Sequence, residues 1–211
     1  MRILRLVSAS ALGYLLGTVP SADIASRLVT GGRIDLRSSG SRNPGGVNAR
    51  RALGHTAGRA VIVADVAKGF AACACGRTAA GDVGAHVAGV AAVLGHCYPL
   101  WNGFRGGKGV ATSLGQCLYT LPAYAPVDYI LASMVARLPG LRRPALVSVG
   151  VSSSAWLLAS VLWWKRELPN LWGPRPAAAL PLANAATMLV IASREVPTLL
   201  RGDPDELALP R

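Results

Sequence analysis

The chain has 211 residues, of which 52% are hydrophobic and only 15% charged, against about 25% charged in an ordinary soluble domain. That apolar content excludes intrinsic disorder, which requires low hydrophobicity, and the length suits one domain. A formal net charge of +12 would suggest nucleic acid for a soluble protein, but the basic residues lie between long apolar runs and no nucleic-acid partner is expected. The cysteines Cys73, Cys75, Cys97 and Cys117 sit in apolar stretches without metal-ligand spacing, so neither a disulfide scaffold nor a metal site is expected.

Stretches free of Asp, Glu, Lys and Arg organise the chain. They run from Leu6 to Ala22, Val83 to Phe104, Gly109 to Val127, Pro144 to Trp164 and Pro176 to Ser193. Each approaches the ~17–25 residues that a membrane helix needs, whereas a soluble helix shows charge on its wet face at every turn. Two further apolar segments are Ala57 to Cys75, which holds Arg59, Asp65 and Lys68, and Tyr129 to Leu138. Pro122 and Pro126 divide the run from Gly109 to Leu138, because proline interrupts the helical hydrogen-bond ladder. The reading is an all-α, polytopic integral membrane protein with about seven transmembrane helices. They fall near residues 4–24, 57–75, 83–99, 109–121, 123–138, 145–164 and 176–193, the fourth and fifth being short for a full crossing. Residues 1–211 form one transmembrane domain in this reading, with 195–211 as a cytoplasmic tail that is unstructured from Gly202 to Arg211.

Charge sets the orientation. Between the first two spans lie Arg27, Arg33, Arg37, Arg42, Arg50 and Arg51; Arg105, Lys108, Arg142 and Arg143 occupy later loops on the same side, with Arg194 and Arg201 beyond the last span. Arg2, Arg5, Lys165 and Arg166 lie on the other side. The larger basic group predicts the cytoplasmic face, which puts the N-terminus outside and the C-terminus inside. Arg2, Arg5 and the run to Pro20 also fit a signal peptide, but no small-x-small site followed by a soluble chain appears, so an uncleaved first span is expected.

Two polar stretches carry candidate chemistry. In the first, from Asp35 to Gly54, Ser41, Asn43 and Asn48 offer side-chain hydrogen bonds and Gly45 allows close backbone approach. Arg51 adds a planar fork of donors suited to phosphate. On composition alone, a solvated basic loop that only sets topology is the simpler reading. In the second, from Gly95 to Thr112, Gly106, Gly107 and Gly109 surround Lys108 beside a helix start, which has the look of a phosphate cradle. A nucleotide P-loop is excluded because Asn102 and Gly109 stand where that pattern needs Gly and Ser or Thr. His96 is the one candidate acid or base in these stretches, with a positioning role favoured; His55 and His86 are read as structural. Asp65 and Lys68 share a helix face and are expected to form a structural ion pair beneath the site. Trp156, Trp163 and Trp164 are read as an interfacial belt or as packing residues.

These stretches resemble the first two signature motifs of the bacterial acyl-phosphate:glycerol-3-phosphate acyltransferases, polytopic enzymes of phospholipid synthesis. Ser41, Asn43, Gly45, Asn48 and Arg51 match Ser-Gly-Asn-x-Gly-Ala-x-Asn-x-x-Arg in register, with Arg42 and Gly46 in place of glycine and alanine. Gly95 to Thr112 matches Gly-His-x-x-Pro followed by Phe-Lys-Gly-Gly-Lys-x-Val-Ala-Thr, with Arg105 in place of lysine. Gly17-Thr18-Val19-Pro20 and Asp65-Val66-Ala67-Lys68-Gly69 are similar to family features as well. The resemblance implies transfer of an acyl group from acyl phosphate to the 1-hydroxyl of glycerol 3-phosphate, without a cofactor, at the cytoplasmic face of a bacterial plasma membrane. Its expected partners are those two substrates and the membrane lipids. It assigns His96, Ser41 and Asn43 to catalysis, and Gly45, Asn48, Arg51, Arg105, Gly106, Gly107, Lys108 and Gly109 to substrate phosphate.

The C-terminal part departs from the pattern. Ala145-Leu146-Val147-Ser148 keeps one serine of a Ser-Leu-x-Ser motif, and Ala192 and Glu195 stand where the family has histidine and asparagine. If the tail folds back, Glu195 is expected to pair with Arg51 or Arg105. The alternative reading is a weakened or inactive relative that binds anionic lipid or a phosphorylated ligand. A transporter is a third, disfavoured by the lack of repeat halves. The His-x-x-x-x-Asp pattern of thioester-using acyltransferases is absent, since Ala60, Ala91 and Trp101 follow the three histidines at that offset.

Overall fold

The computed structural model describes residues 1–201, with side chains through Val196; the expected tail from Gly202 to Arg211 lies outside the described residues. Every regular element among the described residues is a helix. They are α1 (Arg2–Gly17), α2 (Ser21–Thr30), α3 (Gly46–Leu53), α4 (His55–Cys97), α5 (Val110–Thr120), α6 (Ala125–Val135), α7 (Pro144–Arg166) and α8 (Ala179–Arg201), with a short 3-10 turn at Leu100–Asn102. The stretches Arg2–Thr30, His55–Asn102 and Pro144–Arg166 are long and apolar enough to cross a membrane. Large apolar side chains point outward, among them Leu4, Ile130, Leu158 and Leu189. A lipid-facing surface has that character, and a wet one does not.

The long α4 is a hairpin. Ala80 and Gly81 leave helical geometry, and Gly81 adopts φ +69 and ψ −160, a region open only to glycine. The arms 55–79 and 82–97 then pack face to face, so that a Cβ on Gly76 would lie 2.3 Å from Gly84 O. With the short α2 and α3 set aside and each arm of α4 counted, seven helical runs form the bundle among the described residues, as the uncharged stretches predict. Small residues let α1 dock on the second arm: a Cβ on Gly13 would meet Ala88 O at 2.3 Å, and one on Gly17 would meet Ala92 O at 2.1 Å. Backbones that approach this closely gain dispersion and interhelical contact inside lipid, where the hydrophobic effect gives nothing.

Two boundaries differ from expectation. The first helix ends at Gly17 rather than near residue 24, because Pro20 cannot continue the hydrogen-bond ladder. The chain restarts there as α2. Ala22 and Ala25 of α2, Leu36, Ala49 of α3 and Val61 of α4 form a small apolar cluster that holds the 31–45 loop over one end of the bundle. The last helix continues to Arg201, so helix covers 195–201, the start of the expected tail. Trp156 is buried with Leu121, Tyr124 and Leu180, a packing residue rather than part of an interfacial belt.

Candidate active site

The end of α1, the middle of the first α4 arm, the end of the second and the loop before α5 all meet at the end of the bundle away from Gly81. A small polar cleft, with a cavity volume of about 20 Å³, opens there. It is lined by the Gly17 to Ala22 break, Arg37, Pro44, Asp65, Lys68, His96, Pro99, Asn102, Gly106 and Gly107. Asp65 Oδ1 lies 2.9 Å from Lys68 Nζ and 3.5 Å from His96 Nδ1, and all three side chains are buried. Lys68 Nζ also donates to Val19 O at 3.1 Å. That carbonyl is available because the helix breaks before Pro20. Asp65 and Lys68, expected beneath the site, therefore line it, and His96 lies beside Asp65.

The glycine-rich loop has a different role from the cradle that its composition suggests. The Gly106 N–H donates to Cys97 O and the Gly107 N–H to His96 O, both at 3.1 Å, so these donors are already used. Their glycines are explained by close packing: a Cβ on Gly107 would lie 2.2 Å from His96 Nε2, and one on Gly106 would lie 1.9 Å from His96 O. What the loop can offer an anion is the Lys108 ammonium and the N-terminus of α5 behind Gly109, where the first N–H groups lack intrahelical partners.

Asn48 is wholly buried. Its Nδ2 lies within hydrogen-bond distance of the carbonyls of Leu36, Ser39 and Asn43, at 3.1, 3.0 and 3.1 Å. This geometry staples the 36–43 loop, so the Asn48 amide nitrogen, assigned to phosphate by the resemblance, is engaged by its own loop. Ser41 and Asn43 are partly buried in that loop beside the cleft residue Pro44, and Gly45 caps α3. Arg51, in the last turn of α3, and Arg105 expose their side chains. Lys108, Arg51 and Arg105 are not among the residues that line the cleft; Arg105 and Lys108 flank the lining residues Gly106 and Gly107 in the chain.

Long-range contacts that the sequence did not disclose assemble this end. Arg37 pairs with Asp23 and donates from Nε to Arg105 O at 2.8 Å. Asn102 Nδ2 donates to Asp23 Oδ2 at 3.2 Å, and Trp101 Nε1 to Thr18 Oγ1 at 3.0 Å. From the other side, Arg194 of α8 donates to Gly106 O at 2.7 Å and Gly107 O at 3.3 Å, with its guanidinium over the Tyr98 ring. Glu195 meets Lys108, its Oε2 3.0 Å from Nζ. The sequence left open whether this segment folds back or begins a solvated tail, and named Arg51 or Arg105 as the partner in the first case; Lys108 was not foreseen. Asp23, a lone acid opposite a basic loop, is the one member of the network that the sequence could have flagged.

A family model described as glycerol-3-phosphate acyltransferase matches residues 7–200. The chain is 36% identical over 182 residues to the glycerol-3-phosphate acyltransferase of Cereibacter sphaeroides, covering 80% of this chain and 86% of that protein. It is 46% identical over 125 residues to the protein of the same name from Bacillus subtilis, covering 59% and 61%. The crystal structure of PlsY, an integral membrane glycerol 3-phosphate acyltransferase, in its glycerol 3-phosphate form is similar with a TM-score of 0.74. That similarity spans 93% of this chain and 92% of that one at 26% identity.

Proposed function

Because the chain belongs to the glycerol-3-phosphate acyltransferase family, we propose that it moves an acyl group from acyl phosphate to the 1-hydroxyl of glycerol 3-phosphate. The products are lysophosphatidic acid and inorganic phosphate, a step of phospholipid synthesis, and the protein is an integral membrane enzyme. One observation supports the residue roles: Asp65, Lys68, His96, Arg37 and the Gly106–Gly107 loop converge on one cleft, and Arg105 and Lys108 flank that loop in the chain. Both substrates bear phosphate and repel each other, so cations must hold them together.

In this reading the glycerol hydroxyl oxygen attacks the acyl carbonyl carbon. The ester C–O bond forms as the bond from that carbon to the phosphate oxygen breaks, and phosphate leaves with the electron pair. The hydroxyl proton passes to a substrate phosphate, which is basic enough near neutral pH because its second pKa is ~6. Lys108, Arg51 and Arg105 hold phosphate, and Ser41 and Asn43 complete the rim. His96, held by Asp65, aligns the reacting groups, so proximity and charge supply most of the acceleration. The cleft faces the cytoplasm of a bacterial plasma membrane, since Arg27, Arg33, Arg42 and Arg50 cluster at its end. A tag at Arg42 should therefore report the cytoplasm and one near Arg77 the outside.

The Glu195–Lys108 contact favours a second reading, a relative with weakened turnover that retains phosphate binding. Purified protein, assayed for phosphate release from acyl phosphate with and without glycerol 3-phosphate, separates the two. Saturable, glycerol 3-phosphate-dependent release supports the enzyme; folded protein without release supports the binder.

A further inference from the structure

The last turns of α8 deliver a carboxylate to the lysine assigned to substrate phosphate. Glu195 Oε2 lies 3.0 Å from Lys108 Nζ, with the side chains 8% and 15% exposed. The adjacent residues are anchored to the same loop: Arg194 donates to the carbonyls of Gly106 and Gly107, and Ser193 Oγ meets Tyr98 OH at 2.7 Å. The backbone that carries Glu195 is therefore tied to the backbone that carries Lys108. A carboxylate at this distance takes the place that a phosphate oxygen would take on an ammonium, because both are anionic acceptors with the same geometric demand. It differs in charge. Glu195 brings one negative charge, a phosphate monoester at neutral pH about −1.5 to −2, and a phosphodiester only one.

We propose that Glu195 is a specificity-determining residue, an internal competitor at Lys108 that phosphate monoesters displace and monoanionic phosphodiesters do not. The proposal rests on the assignment of Lys108 to phosphate and adds the selection made there. A site at a membrane face is bathed in phosphodiester headgroups, and a cation open to them would be occupied by lipid. Selectivity is a difference of affinities, and an occupant that a monoanion cannot outbid weakens binding of the wrong class more than of the right one. The cost falls on both classes: apparent affinity drops by the fraction of time that the lysine is open.

The test uses full-length protein in detergent at pH 8, with melting temperature followed against inorganic phosphate and, separately, dimethyl phosphate. Wild type should be stabilised by phosphate and be indifferent to dimethyl phosphate. Glu195→Gln should bind phosphate about tenfold more tightly, as expected if Lys108 is open about one tenth of the time, and should gain a response to dimethyl phosphate. Adding Lys108→Met should abolish both gains. Glu195→Asn provides a second variant if Glu195→Gln does not fold. Equal dimethyl phosphate responses in wild type and variant, or gains that survive Lys108→Met, would overturn the proposal. The titration reads binding alone, so an inactive protein that shows these shifts defeats the acyltransferase reading, whereas an active one without them defeats only the role of Glu195.

Discussion

Two ion pairs of the same length sit at opposite ends of the molecule. Asp65 and Lys68 approach to 2.9 Å with side chains 3% and 7% exposed, and Arg77 and Asp82 approach to 2.9 Å at 38% and 40% exposure. The exposed pair lies beside the α4 hairpin turn and ties neighbouring backbone: Arg77 donates to Trp172 O, and Asp82 accepts from the Arg175 N–H. The buried pair meets a histidine, a broken helix end and a cleft. An exposed pair earns little stability in water. A buried one carries a desolvation cost that is not recovered unless its partners are complete. Identical chemistry thus fastens a turn at one end and builds a charged, shielded cleft at the other, and burial makes the difference.

The largest effect expected from breaking this contrast is at Lys68. Lys68→Met removes one partner of a buried pair and should cost about 3–5 kcal/mol, read as a lowered melting temperature in detergent. Arg77→Ala should change stability by no more than ~1 kcal/mol. Comparable losses in the two variants would erase the distinction.

Two glycines sharpen it. Gly107→Ala puts a methyl group 2.2 Å from His96 Nε2, and displacing that ring should lower kcat about 100-fold, the scale of a ~1 Å misplacement. Gly81→Ala meets no atom within 4 Å but keeps φ +69, so it should cost about 1–2 kcal/mol of strain and leave kcat as it is. Steady-state kinetics on both variants checks the pair.

Smaller again is Arg51→Lys, which keeps the charge and loses the planar fork. A loss of about tenfold in kcat/KM for glycerol 3-phosphate is expected, the value of roughly one charge-assisted hydrogen bond. Wild-type kinetics would remove Arg51 from the site.

Much of this architecture is legible in the chain because lipid imposes one-dimensional rules. Uncharged runs mark the helices, and residues three apart share a face, which is why Asp65 and Lys68 could be paired. The break before Pro20 was legible in principle, but the apolar run from Leu6 to Ala22 reads continuously across it. The motif stretches contribute His96, Pro99, Asn102, Gly106, Gly107 and Pro44 to the cleft lining. They do not say which atoms remain available: the N–H groups of Gly106 and Gly107 are used by Cys97 and His96, and the Asn48 amide by its own loop. Such saturation depends on backbone geometry that composition does not encode. The contacts of Arg37 with Asp23, and of Arg194 with Gly106, join segments distant in sequence, and periodicity carries no signal for pairs of that kind.

The most direct test sets Lys108→Ala beside Arg77→Ala, both purified and shown to be folded, and measures glycerol 3-phosphate-dependent phosphate release from acyl phosphate. The site-end variant should lose about 10- to 100-fold in kcat/KM, the worth of a hydrogen bond to a charged group, while the turn-end variant retains wild-type release. Equal rates in the two variants would contradict the placement of the active site at the buried end.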